Sequence, residues 1–296
     1  MKLGVIKEGK IPPDKRVPLT PKQCAFLKQK FSFEIVVQPS SIRCFSDQEY
    51  MDQGIVLQDD LSDCDIILGV KEVPIKDLIN DKKFVFFSHT IKKQPYNKNL
   101  LKQIIQKNIQ LIDYEVLKGQ NGKRVLGFGR YAGIVGCYNA FLTYGLKTGS
   151  FNLKPAHLCF DQQEMEAELI KVDIQNLKIV LTGSGRVSQG AKEILDLLNI
   201  KYISINDYLK SSFTENVCVI LNAVDYYRRI DGETSIRSDL YKNPALFESC
   251  LSDYLDDTDI LITGHFYDSN APYLLTRDDF KNKNSKLKVV ADISCD

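Results

Sequence analysis

The chain has 296 residues, with 39 Lys plus Arg against 38 Asp plus Glu, a formal charge of +1, 44% hydrophobic residues and 26% charged ones. This composition excludes disordered and fibrous classes, and at roughly 150 residues per domain it allows two globular domains, each with its own core. The balanced charge and the lack of a long basic run argue against nucleic acid and membrane surfaces as partners, and leave a small molecule.

The opening Met1-Lys2-Leu3-Gly4-Val5-Ile6-Lys7-Glu8 meets charge early and has no apolar leader or cleavage site, so it reads as mature cytoplasmic protein. No stretch approaches the roughly 18–20 apolar residues of a membrane span. Short apolar runs then recur at Leu3–Ile6, Phe33–Val37, Ile66–Val70, Phe84–Phe87 and Ile109–Ile112, separated by helix-length stretches. Buried strands alternating with helices predict a parallel sheet with crossover helices. One helix is expected after Leu19, where Thr20 caps it and Pro21 takes the first turn, and another near Ser46 or Asp47.

A turn-rich segment around Lys118–Lys123 is followed by a helix-length stretch from Ala132 to Tyr144 with small residues on one side, which we expect to link the domains. A second series follows: strands over Ile179–Thr182, Tyr202–Ile205, Val217–Leu221, Ile260–Thr263 and Val289–Ala291, with a helix over Gln189–Leu198. The predicted domains are residues 1–131, carrying substrate and catalytic groups, and 132–296, binding a nucleotide. Eight cysteines, at 24, 44, 64, 137, 159, 218, 250 and 295, form no CxxC pair and have no histidine at metal spacing. They are expected to be reduced core thiols, and no metal site is predicted.

The strand over Ile179–Thr182 runs into Gly183-Ser184-Gly185-Arg186-Val187-Ser188-Gln189-Gly190 and then a helix. Strand, glycine turn and helix in that order suit a dinucleotide pyrophosphate, received by backbone N–H groups at the helix start. Ser188 stands where the third glycine of the usual pattern falls, and still permits close packing. The tip of the next strand, Ile205-Asn206-Asp207, is the expected ribose contact. Asp207 favours NAD, whereas Asn206 with Arg186 leaves room for the 2′-phosphate of NADP, so the cofactor is NAD or NADP.

Four groups of charged residues follow apolar strands in the first domain. Arg16, in Lys15-Arg16-Val17-Pro18-Leu19-Thr20-Pro21, is placed to clamp a carboxylate. Lys71 and Glu72 follow Leu68-Gly69-Val70, and Lys71 becomes a base near neutral pH if burial and nearby cations lower its pKa. His89, in Ser88-His89-Thr90-Ile91-Lys92, suits proton transfer. Glu115, after Ile112-Asp113-Tyr114, is placed to pair with Lys71 or Glu72, and Arg124 to hold a second carboxylate. Together they imply an active-site cleft between two α/β, Rossmann-like domains with parallel sheets.

These strings, with Phe128-Gly129-Arg130-Tyr131-Ala132-Gly133 and Ala291-Asp292-Ile293-Ser294-Cys295-Asp296, resemble in order the alanine dehydrogenase/transhydrogenase-like superfamily. Within it the sequence is similar to lysine-forming saccharopine dehydrogenase and the lysine-ketoglutarate reductase domain. The resemblance implies an oxidoreductase acting on a CH–NH bond, interconverting saccharopine with L-lysine and 2-oxoglutarate with NAD(P). It further implies Lys71 as the amine base and His89 as the acid/base of imine hydrolysis. Arg16, Lys92, Arg124 and Phe128 would contact substrate, and Glu72 and Glu115 would tune the charge. Gln94, Lys123, the turn Gly183, Ser184, Gly185, Arg186 and Val187, Asn206 or Asp207, and Asp292, Ile293 and Ser294 would border the cofactor. Family members continue for several dozen residues beyond the last string, so the chain reads as truncated at its C-terminal end. A related amino-acid dehydrogenase, or a truncated module that binds a nucleotide or partner without catalysis, are the alternatives. No oligomeric state is assigned.

Overall fold

The first sheet comprises β1 (Lys2–Val5), β2 (Glu34–Val37), β3 (Val56–Leu57), β4 (Ile66–Leu68), β5 (Lys83–Phe86) and β6 (Gln110–Asp113), in the order β3-β2-β1-β4-β5-β6 and parallel throughout. In this computed structural model the described residues are 1–210, 212–281 and 285–294, so Cys295 and Asp296 of the last motif string lie outside them. The chain divides into two units, Met1–Gly127 and Phe128–Asp296.

In the first unit the helices are α1 (Pro21–Phe31), α2 (Asp47–Asp52) and α3 (Lys98–Gln106). Thr20 and Ser46 start α1 and α2 with reciprocal capping boxes to Gln23 and Glu49. Both sheet faces are covered, Ile6, Val36, Ile67, Phe84 and Phe86 in one core cluster and Leu3, Val5, Ile35 and Val37 in another. Five of the six strands fall on the expected apolar runs. The two-residue β3 is too short to give such a run, and its Val56 is exposed.

The second unit contains α4 (Gly129–Thr148), α5 (Gln162–Ala167), β7 (Lys178–Thr182), α6 (Arg186–Leu197), β8 (Lys201–Tyr202), α7 (Ile205–Lys210) and β9 (Val217–Leu221). It continues with α8 (Ala223–Tyr226), β10 (Tyr227–Arg229), α9 (Arg237–Lys242), β11 (Phe247–Ser249), β12 (Ile260–Thr263) and β13 (Val289–Asp292). Five strands form a parallel sheet, ordered β13-β12-β7-β9-β8, and β10 and β11 form an antiparallel ribbon. Ile179, Leu181, Ile260 and Ile262 pack with Ile134 and Cys137 of α4 and Ile194 of α6. Val180, Val219 and Leu261 pack on the other face with Tyr208 of α7 and Tyr226.

Helix α4 begins three residues before the expected Ala132 and belongs whole to the second unit. Its backbone touches α6: a Cβ on Gly133 would lie 1.9 Å from the Val187 carbonyl oxygen, and one on Gly190 1.9 Å from that of Arg130. The divide therefore falls before α4, and a boundary at residue 131 would cut its first turn. The strand expected over Tyr202–Ile205 stops at Tyr202. Ser204 ends it, because its hydroxyl accepts the Asp207 N–H at 3.2 Å and donates to the Asp207 carboxylate at 2.7 Å, capping α7.

Among the described residues seven cysteines are free. Cys24, Cys64, Cys137 and Cys218 are buried and Cys159 and Cys250 half-buried, but Cys44 is exposed and not a core thiol, since it lies in the loop before α2. Among the described residues no helix is long and apolar enough to cross a membrane, and no group of three His, Cys, Asp or Glu is placed to hold a metal ion.

Candidate functional site

Because β1, β4, β5 and β6 are parallel neighbours, the residues just past their C-terminal ends collect at one edge of the sheet. Glu8 follows β1, Lys71 and Glu72 follow β4, His89 follows β5 and Glu115 follows β6. Lys71 Nζ lies 2.9 Å from His89 Nε2, and His89 Nδ1 lies 3.0 Å from Glu115 Oε2. An ionised carboxylate only accepts, so Nδ1 donates to Glu115 and Nε2 faces the Lys71 amine. Glu115 therefore pairs with His89 rather than with Lys71 or Glu72, because the histidine stands between them. Arg124 reaches Glu115 at 3.8 Å and lies over the Phe87 ring at 5.8 Å. The His89 ring stacks on Phe87, 6.3 Å between centroids, and His89 takes a left-handed φ of 54°. Such a backbone persists where its surroundings hold it, and the two ring hydrogen bonds do so here.

Burial lowers the Lys71 pKa, and the cations of Lys10 and Arg16 add to the effect. Glu72 opposes it and is held at 3.1 Å by Lys10, with His89 at 3.9 Å. Beneath Lys71, the Glu8 carboxylate accepts the Val70 N–H at 2.7 Å and the Lys71 N–H at 2.9 Å, and burial pushes its own pKa up. Arg16 grips Asp14 through Nε at 2.9 Å and through Nη2, which holds Asp14 below the usual carboxylate range. The structure thus brings Lys71, His89, Glu72, Glu115 and Arg124 together, with Glu8, Lys10 and Asp14 as members that the motif reading passed over. Lys92 and Gln94 are exposed in and just after a turn behind His89, and Lys123 is exposed in the loop before Arg124.

In the second unit Gly183 turns with φ of 90°, and a Cβ there would lie 2.8 Å from the His265 Cα. A Cβ on Gly185, the cap of α6, would meet nothing within 4 Å, so the backbone at the helix start stands open. Ser184, Gly185 and Arg186 are exposed and Val187 half-buried. Ser188 donates to the carbonyls of Thr182 (2.9 Å) and Gly264 (3.2 Å), tying α6 to the ends of β7 and β12. The close approach expected of the third position thus falls to Gly190 against α4. His265 Nδ1 is 2.6 Å from Thr182 Oγ1, while its buried Nε2 has no partner among the described residues. Beside it, Thr263, His265, Tyr267, Asp292 and Ser294 line a cavity of about 280 Å³. Ile293 turns away, packing on Gly136 of α4. Phe128 caps α4 in this unit. Asn206 and Asp207 stand in the first turn of α7, and β8, which leads to them, is not hydrogen-bonded to β7.

Two parallel-sheet units of this kind define a Rossmann-like α/β protein. L-alanine dehydrogenase shares the fold with a TM-score of 0.64, covering 99% of this chain and 73% of its own at 16% identity. Residues 4–135 match the model of the alanine dehydrogenase/PNT N-terminal domain. Mouse mitochondrial alpha-aminoadipic semialdehyde synthase is 32% identical over 290 residues, spanning 90% of this chain and 31% of that protein. The Arabidopsis thaliana protein of that name is 31% identical over 340 residues, spanning 99% of this chain and 32% of the relative. Yarrowia lipolytica saccharopine dehydrogenase (NAD(+), L-lysine-forming) is 27% identical over 308 residues, spanning 75% of its length. The chain spans about a third of the synthases. The resemblance carried by the motif strings is shown by these matches.

Proposed function

We propose that the chain is a nicotinamide-dinucleotide oxidoreductase that interconverts saccharopine with L-lysine and 2-oxoglutarate. In this reading Met1–Gly127 supplies acid–base and substrate groups, and Phe128–Asp296 holds NAD or NADP. The observation that carries it is the Lys71–His89–Glu115 chain of hydrogen bonds, a depressed lysine joined to a carboxylate-anchored imidazole. The second unit fits a dinucleotide by its open glycine turn and by the buried nitrogen of His265, which has no partner among the described residues.

Saccharopine, oxidised NAD(P) and water give lysine, 2-oxoglutarate, reduced NAD(P) and a proton. NAD or NADP, when bound, would supply a hydride acceptor for the carbon next to the secondary amine. Neutral Lys71 takes the amine proton as the C=N bond forms. His89, oriented by Glu115, removes a proton from the attacking water and returns one to the leaving lysine amine. A substrate with three carboxylates needs cations, and Arg16, Lys92 and Arg124 supply them, with Phe128 as an apolar contact. Glu72 and Glu115 keep the cluster from accumulating positive charge. Gln94, Lys123, Gly183, Ser184, Gly185, Arg186, Val187, Asp292 and Ser294 border the nucleotide.

The test is absorbance at 340 nm with purified protein, NADH or NADPH, lysine and 2-oxoglutarate, with alanine plus NAD as control. Oxidation that requires both lysine and 2-oxoglutarate is the expected result. Nucleotide binding with no turnover of that pair overturns the substrate assignment, and turnover of alanine alone moves it to an alanine dehydrogenase-like reaction.

A further inference from the structure

We infer that the strand tip reading the adenosine ribose is that of β9, through Asn222, and not Asn206 or Asp207; this rests on the dinucleotide reading above and deepens it. In a doubly wound sheet the ribose meets the end of the strand beside the glycine-turn strand, on the side toward which its helix crosses. That neighbour is commonly the next strand in sequence. Here it is not, because β9 lies between β7 and β8.

The register makes the placement specific. Thr182 of β7 pairs with Leu221 of β9, and the Gly183 N–H donates to the Leu221 carbonyl at 2.7 Å. Asn222, the next residue, therefore stands beside the glycine turn, and it is exposed. By contrast β8 ends at Tyr202 opposite Cys218, short of the strand tip, and lies two strand spacings, about 10 Å, from β7. The chain then turns into α7, whose Tyr208 is buried against Val180 and Val219, and the Asp207 carboxylate is engaged by Ser204. The separation of roughly 20 residues that points to Asp207 counts across a strand that this sheet has moved outward.

Asn222 brings an amide, which both donates to and accepts from ribose hydroxyls. The nearby carboxylate, Asp225, is occupied by the Asn222 backbone N–H at 2.6 Å. A carboxylate placed at position 222 would accept from a 2′-hydroxyl and repel a 2′-phosphate, and Asp is as good a helix cap as Asn, so the fold tolerates the change.

The experiment is fluorescence titration of the whole chain with NADH and with NADPH, without substrates, for the unchanged protein and for Asn222→Asp, Asn222→Ala and Asp207→Ala. Asn222→Asp is expected to shift the ratio of dissociation constants toward NADH by tenfold or more. Asn222→Ala should weaken both nucleotides several-fold, and Asp207→Ala should leave both within twofold. A ratio that moves with Asp207→Ala and not with Asn222→Asp overturns the assignment while leaving dinucleotide binding intact. Failure of the unchanged protein to bind either nucleotide overturns both.

Discussion

The first sheet runs β3-β2-β1-β4-β5-β6, the strand order usual for a doubly wound nucleotide fold, yet it has no glycine turn; the second has the turn but runs β13-β12-β7-β9-β8. In the first unit the neighbouring strand ends deliver charged side chains that hold one another, and the proposed chemistry rests on Lys71, His89 and Glu115. In the second the backbone does more of the work: Gly183 passes close to His265, and Gly133 and Gly190 let α4 and α6 touch. Two sheets of one class can thus carry function through side chains or through backbone approach. Strand order decides which residues meet in both.

The sharpest way to break this contrast is to remove chemistry from the first unit without disturbing its packing. Lys71→Met should lower saccharopine turnover by about 10²–10⁴-fold, the range for loss of a general base, with the circular dichroism spectrum unchanged. Undiminished turnover would remove Lys71 as the base. The converse change strikes backbone approach in the second unit. Gly133→Ala must push α4 from α6, because the new Cβ would meet the Val187 carbonyl, and overpacking of this kind costs about 1–3 kcal/mol. For a unit of this size that is roughly 2–4 °C of melting temperature per kcal/mol, measurable by calorimetry. An unchanged melting temperature would mean that the two helices are free to separate.

Much of this was legible as pattern. Lys71, His89 and Glu115 each follow an apolar run, which places them at strand ends, but their meeting depends on which strands are neighbours, and periodicity does not encode that. Glu8 follows Leu3–Ile6 as Lys71 follows Ile66–Val70, so the same rule points to it; its use of two backbone N–H groups is visible only in three dimensions. Lys10 and Asp14 stand in a loop without periodicity. His265 follows the apolar Ile260–Thr263, and only the fold shows that it lies against Gly183. The displaced β8 had one local sign, Ser204 followed three residues later by Asp207, a helix-start signature inside the stretch expected to be strand. The alternating pattern identifies strands well because burial on both faces demands it, whereas a two-residue strand is fixed by its partner rather than by its own residues.

The smallest expected effect sharpens how the first unit tunes its base. Lys71 must be neutral to take the amine proton, so in the saccharopine-oxidising direction kcat/KM rises with pH as Lys71 loses its own proton. Burial and then Lys10 and Arg16 depress that pKa, and Glu72 raises it. Lys10→Met removes one depressing cation and also leaves the Glu72 carboxylate without its partner at 3.1 Å, so both changes push the Lys71 pKa upward. The rising limb should therefore move to higher pH, with activity reduced near neutrality and restored at alkaline pH. Glu72→Gln should move it the other way, since it removes the group that favours the charged lysine. Opposite displacements of the two profiles would show that Lys10 and Glu72 act through the charge on Lys71. A uniform loss at every pH in both variants would mean that they act on substrate binding alone.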